Sequence, residues 1–326
     1  MRRNPQAGHR RSGGLRLEVF TPDELLEIHT ATLDVLERTG LWVEDEEAQE
    51  LFAAAGARVE ADGVVKIPGH VVEDAIRSAP SRLVCYGRDP KHDIVLEDGR
   101  VGFTTFGEGI EIIDVNTGEL RETMKQDVAD CSRSIDALPE IDVLERPLGA
   151  HDVPQEVQPL HNAEAIFTNC SKHAFIGPIS GYLAGRMRDM AAALVGGVDK
   201  LRERPILSFV TCPVSPLKLI RDTCEIIITG ARSGLPVNVL SMAMAGGSSP
   251  INLAGTLVTH NAEVLGGLTL AQLAHRGAPV VYGSSTTAMD LRFASASVGS
   301  PECALINAGV ACLSRYYLLP SWVAGQ

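Results

Sequence analysis

The chain runs to 326 residues, 45% hydrophobic and 21% charged, with a formal net charge of −12. That is enough apolar material for one large α/β domain with an appendage, and the acidic balance disfavours nucleic acid as a partner while suiting a cationic substrate. No apolar run is long and charge-free enough to span a bilayer, since the best stretch, Ala304–Leu313, is closed off by Ser314 and Arg315.

The opening, MRRNPQAGHRRSGG, is rich in Arg, Gly and Pro and has no hydrophobic core region. Residues 1–16 are therefore expected to be a disordered tail rather than a secretory signal. Thr21 then offers an N-cap hydroxyl, Pro22 a first-turn proline, and Asp23 and Glu24 acids against the helix dipole. Leu25, Ile28, His29, Leu33 and Leu36 follow at helical spacing until Gly40. A second helix over 46–55, a short strand at 64–67 and a third helix after Pro68 complete an N-terminal helical region, residues 17–98.

Arg100–Met124 reads as a hairpin turning at Asn116, Thr117 and Gly118. Within it, Phe106-Gly107-Glu108-Gly109 neither extends to GxGxxG nor opens a helix, which rejects a dinucleotide fingerprint. The cysteines, at 85, 131, 170, 212, 224, 303 and 312, include no CxxC pair. Such scatter points to reduced thiols in a cytoplasm, with neither a disulfide frame nor a zinc site.

From there the pattern becomes periodic. Strands are predicted at Val101–Thr105, Ile141–Leu144, Ala174–Gly177, Ile206–Val210, Val237–Met244, Val280–Tyr282 and Leu319–Val323, with helices at about 125–138, 154–169, 183–202, 217–232, 250–275 and 301–317. This makes about six and a half βα units, and the apolar strands read as parallel strands covered on both faces. Ser215-Pro216, Ser249-Pro250 and Ser300-Pro301 are each expected to place a serine cap and a first-turn proline at a helix start. The tetrapeptide His-Asn-Ala-Glu occurs at 161–164 and again at 260–263, both times inside a helix. Asn261, on a face with Leu257, Val264 and Leu268, is expected to be buried and satisfied by loop backbone, and the His-to-Glu spacing argues against a metal site. The expected fold class is α/β: an incomplete (β/α)8 TIM-type barrel over 99–326 with an N-terminal helical cap, its C-terminal closure missing.

Several stretches together resemble the trimethylamine methyltransferase family, the corrinoid-dependent methylamine methyltransferases of the MttB type. They are DVNTGELR at 114–121, PVSPL at 213–217, GGSSPINLAGTLVTHNAEVL at 246–265, GAPVVYGSSTTAMD at 277–290, and GSPE at 299–302 with Arg315, Tyr316 and Tyr317. The resemblance implies a TIM barrel and methyl transfer from trimethylamine to the Co(I) corrinoid (cobalamin) of a cognate corrinoid protein. The chain itself is then expected to bind no cofactor and no metal. It further implies a small cationic amine as substrate, no membrane, a cytoplasmic location and a homo-oligomer when full length. In the trimethylamine enzymes the catalytic residue is pyrrolysine, encoded by an amber codon. The resemblance therefore implies a catalytic residue just after Gln326 and a chain that continues past that codon. The alternatives are a glycine-betaine-type member without pyrrolysine, or a truncated remnant acting only as an interaction module.

Strand ends are where a barrel keeps its site. Glu108 after the first strand is a candidate to counter a cationic amine, or else a solvated hairpin acid. Tyr282, Ser284, Thr286 and Asp290 after the sixth strand are candidate substrate-binding residues, with Tyr282 alternatively filling the core and Asp290 capping a turn. Met244 and Cys212 end two further strands and are candidates for binding or for packing.

Overall fold

The structure, a computed structural model, describes residues 18–97 and 99–324. The expected tail and the expected catalytic position after Gln326 lie outside these residues. Two compact units are formed: Leu83–Val210 make one, and the described residues before Leu83 join those from Thr211 onward in the other.

At the start of the second unit, α1 (Pro22–Asp34) is capped as its sequence predicts. The Thr21 Oγ1 accepts the Glu24 N–H at 3.3 Å, and the Glu24 carboxylate accepts the Thr21 N–H at 2.8 Å. A π-helical turn, Val35–Thr39, leads to β1 (Leu41–Val43), α2 (Glu46–Ala54), β2 (Arg58–Val59), β3 (Val64–Lys66) and α3 (Gly69–Ser78). Antiparallel pairing of β3 with β1 and with β2 makes a small sheet.

The first unit opens with β4 (Leu83–Cys85) against β5 (Ile94–Leu96), followed by the hairpin β6 (Glu111–Ile113) and β7 (Leu120–Glu122). Its turn is built by Asp114, whose carboxylate accepts the N–H groups of Asn116 and Thr117 at 2.9 and 3.2 Å. Arg121 then bridges Asp114 at 3.0 Å and Asp127, in the first turn of α4 (Lys125–Ala137), at 2.7 Å. The motif DVNTGELR is thus a hairpin staple.

Three parallel strands follow, β8 (Val143–Glu145), β9 (His173–Ile176) and β10 (Leu207–Thr211), in register Val143–His173 and Ala174–Leu207. They are joined by α5 (Gln158–Asn169), α6 (Gly181–Val195) and α7 (Val198–Glu203), so the helix predicted over 183–202 is broken, at Gly196 and Gly197. The strand predicted at Val101–Thr105 does not form; Thr104 makes only an isolated parallel bridge to Val143. Side chains take the bonds a ladder would use: Asp142 accepts the Phe103 N–H at 2.9 Å, and the Thr105 hydroxyl donates to the Glu145 carbonyl at 2.5 Å.

The second unit resumes with β11 (Lys218–Leu219), which pairs in parallel with β1, and then α8 (Arg221–Ser233). Next come β12 (Val237–Ser241), β13 (Met244–Ala245), α9 (Leu253–Ala274), β14 (Val280–Ser284), β15 (Thr287–Asp290), β16 (Ser295–Ala296), α10 (Pro301–Tyr316) and β17 (Ser321–Val323). Strands β12, β14 and β17 are parallel, with Val239 opposite Tyr282 and Gly283 opposite Trp322. The strand predicted to reach Met244 stops at Ser241, and β13 pairs instead with β15. Helix α9 is apolar all round because it is covered all round, by β12 and β14 on one side and by α1, α2 and α3 elsewhere. Two adjacent glycines allow this. A Cβ on Gly266 would lie 2.1 Å from Leu41 Cδ1, and one on Gly267 would lie 2.7 Å from Val239 Cγ1.

Of the three predicted serine caps, only Ser300 acts as one, accepting the Cys303 N–H at 3.2 Å. Helix α9 is capped by Asn252 instead, and α8 starts after Ile220 without a side-chain cap. The proline next to Ser249 therefore lies outside the helix it was expected to open.

Candidate functional site

Past the C-terminal ends of the strands in the second unit run the segments 212–220, 242–252 and 285–300. Helix α9 lies behind β12 and β14, and its second copy of His-Asn-Ala-Glu supplies the polar groups there. The Glu263 side chain is buried and accepts from Ser241 Oγ at 2.6 Å, Ser215 Oγ at 2.8 Å and the Leu217 N–H at 3.0 Å. Burial pushes its carboxyl above the usual carboxylate range, and the three donors hold part of that rise back. The His260 Nδ1 lies 3.2 Å from Thr286 Oγ1, and burial drops this imidazole to a pKa of about 3, so it is neutral.

Asn261 is fully satisfied, though by side chains rather than the loop backbone expected of it. Its amide donates to Thr32 Oγ1 at 2.9 Å and Tyr317 OH at 2.8 Å, and its carbonyl accepts from Tyr282 OH at 2.7 Å. Tyr317 accepts from Asn261, so its own hydrogen points to His29 Nδ1 at 3.0 Å, which leaves His29 Nε2–H for Glu73 at 2.8 Å. In the first copy of the tetrapeptide, the Asn162 carbonyl does accept a loop N–H, that of Ala150, at 2.9 Å.

The residues singled out from sequence fall into three groups. Tyr282, Ser284 and Thr286 are buried: Tyr282 bonds Asn261, and the Ser284 hydroxyl accepts the Thr286 N–H at 3.1 Å. Met244 is half-buried and Cys212 exposed, and Asp290 caps a turn by accepting the Arg292 N–H at 2.8 Å. The Arg292 guanidinium and that backbone bond hold the Asp290 carboxyl below the usual range. Glu108 lies in the other unit, its carboxylate paired with the Arg146 guanidinium at 2.9 Å. Sequence reasoning passed over Glu263 by treating its tetrapeptide as a failed metal motif. The available signal was the one carboxylate in a helix that carries no other charged acid or base, which must find donors if it is buried. Among the described residues, no group of three or more His, Cys, Asp or Glu is placed to hold a metal ion, and no helix is long and apolar enough to cross a membrane.

The family profile described as trimethylamine methyltransferase (MTTB) matches residues 3–326. Trimethylamine methyltransferase MttB of Desulfitobacterium hafniense (strain DSM 10664 / DCB-2) is 56% identical over 321 residues, covering 98% of this chain and 65% of that protein. Trimethylamine methyltransferase MttB1 of Methanosarcina mazei is 47% identical over 329 residues, 99% of this chain and 66% of that one. Glycine betaine methyltransferase of Desulfitobacterium hafniense (strain Y51) is 33% identical over 312 residues, 95% of this chain and 64% of that one. The chain thus spans about two thirds of the length of these relatives. Among solved structures, the monomethylamine methyltransferase MtmB of Methanosarcina barkeri matches with a TM-score of 0.52 at 14% identity, over 93% of this chain and 66% of that one. At that identity the likeness speaks for the shared fold, an α/β barrel type with parallel strands. A profile match along almost the whole length and identity well above 30% leave one assignment: the chain belongs to the trimethylamine methyltransferase family.

Proposed function

We propose that the protein moves a methyl group from trimethylamine to the Co(I) corrinoid of a partner protein, and that the strand-end rim of the second unit holds the amine. The observation that supports this reading is 56% identity across 98% of the chain to a trimethylamine methyltransferase, against 33% to a glycine betaine methyltransferase. The step balances as trimethylamine plus Co(I) plus a proton giving dimethylamine plus methyl–Co(III). A neutral amine is a poor leaving group, so the site must place positive charge on nitrogen and hold the methyl in line with the acceptor. Asp290, ionised and at the rim, suits a cationic nitrogen. Met244 pairs with Thr287 on the strand that carries Asp290, Cys212 follows β10, and Tyr282, Ser284 and Thr286 are buried below the ends of β12 and β14.

The test is to incubate the purified protein with trimethylamine and a corrinoid protein reduced to Co(I), following dimethylamine and the absorbance of methyl–cobalt. Dimethylamine and methyl–cobalt in equal amounts are expected. Dimethylglycine formed from glycine betaine, with no product from trimethylamine, moves the chain to the betaine branch. Neither product defeats the catalytic reading.

A further inference from the structure

Three polar side chains of α9 stand at positions 256, 260 and 263, four and three residues apart, and so stack on one stripe of the helix. Each reaches a different segment of the rim. The Thr256 hydroxyl donates to the Pro250 carbonyl at 2.7 Å and accepts from Ser249 Oγ at 3.1 Å, in the segment after β13. His260 meets Thr286, just past β14. Glu263 joins the end of β12, through Ser241, to Ser215 and Leu217 in the segment after β10.

Glu263 is the member with the most to hold. The Leu217 N–H, which can only donate, meets one carboxylate oxygen, while the Ser215 and Ser241 hydroxyls share the other. One of those donors is the N–H of Leu217, whose φ of 58° is left-handed and uncommon for a leucine. Such a conformation persists only where the surroundings enforce it, and the carboxylate grips the residue that adopts it. Both flanks of residues 215–217 are held separately, by the paired backbone bonds between Val214 and Lys218, by the Trp42 N–H on the Leu217 carbonyl at 2.9 Å, by the pairing of β11 with β1 and by the Thr223 hydroxyl on the Cys212 carbonyl at 3.0 Å.

We propose that Glu263 is a positioning residue that clamps residues 215–217 to the end of β12 and so sets the geometry of the rim. Its link to turnover rests on the methyl-transfer reading; the clamp itself does not. Glu263 does not touch substrate, because its oxygens are taken by the three donors. A methionine there offers no comparable acceptor, so the Leu217 N–H, which can only donate, loses its side-chain partner.

The experiment compares wild type with Glu263→Met, Glu263→Asp and, as a purely destabilising control in the core of the same helix, Leu268→Ala. Amide hydrogen exchange is read at Leu217 and in β12, and kcat and KM for trimethylamine are measured on the same preparations. In Glu263→Met the Leu217 amide should exchange about tenfold faster relative to the β12 amides, and kcat should fall while KM stays within about twofold. Glu263→Asp should recover part of both, and Leu268→Ala should leave the exchange ratio unchanged. Faster exchange at Leu217 and in β12 together, or no change at Leu217, overturns the clamp. Release of Leu217 with unchanged kcat in an active protein overturns its role in the reaction. Release of Leu217 in a protein whose wild type transfers no methyl group upholds the clamp and refutes the methyl-transfer reading instead.

Discussion

Asn261 shows how one side chain can organise a unit. It ties α1, through Thr32, to α10, through Tyr317, and to β14, through Tyr282, with every donor and acceptor of the amide used. Replacing it by alanine leaves the buried Tyr282 hydroxyl without its acceptor, while Tyr317 keeps His29 and Thr32 keeps the Ile28 carbonyl, and a buried unpaired group costs about 1–3 kcal/mol. Asn261→Ala is therefore expected to lower stability by about 1–3 kcal/mol, read as a shift of the urea midpoint. A loss below about 0.5 kcal/mol would mean that the network is not what holds α1 in place. The sequence announces that position 261 is buried, because it falls on an apolar face, yet it cannot say which of the distant tyrosines meets it.

Among the elements, the helix starts carry the clearest lesson. Serine followed by proline looks the same at three places, but the helix begins directly there only at Ser300. At Ser215 the hydroxyl is drawn to Glu263, and beyond Ser249 the chain continues to Asn252, whose carbonyl accepts the Gly255 N–H at 2.7 Å. Removing a real cap costs about 1 kcal/mol. Asn252→Ala and Ser300→Ala should each lose about that much in equilibrium unfolding, less than truncating a whole buried side chain costs. If either variant unfolds at the wild-type midpoint, that capping assignment is wrong. Strand ends obey the same competition. Residues 101–105 have a strand's composition, but Asp142 and Thr105 offer side-chain partners that a pattern of apolar residues does not reveal.

For the molecule as a whole, two buried histidines, one in each unit, link stability to pH. Burial lowers His173 to a pKa of about 4 and His260 to about 3, from an ordinary imidazole value of 6.5. Each is neutral in the native chain, while the unfolded chain takes up protons below 6.5. The native state thus binds fewer protons than the unfolded one over that range, and stability falls as the pH drops from 6.5 toward those lower values. At about pH 5 each histidine costs about 2 kcal/mol relative to neutral solution. Urea unfolding at about pH 7.5 and about pH 5 should show that loss, and His260→Gln should remove about 2 kcal/mol of it. An unchanged difference in the variant would show that His260 does not contribute to the acid sensitivity.

The sequence by itself determined the α/β class, the alternation of strands and helices from β8 onward in outline, a hairpin turning at Asn116, Thr117 and Gly118, and the family, because periodicity, turn residues and a run of specific motifs are local and survive in one dimension. It also pointed to the α9 tetrapeptide without its meaning. Only the tertiary structure decided that Glu263 faces three donors, that Tyr282 turns its hydroxyl to Asn261, and that residues up to 82 pack with those after 210. These outcomes depend on groups tens to hundreds of residues apart. A buried polar atom takes whichever partner the fold brings within about 3 Å, and chain spacing does not encode that choice.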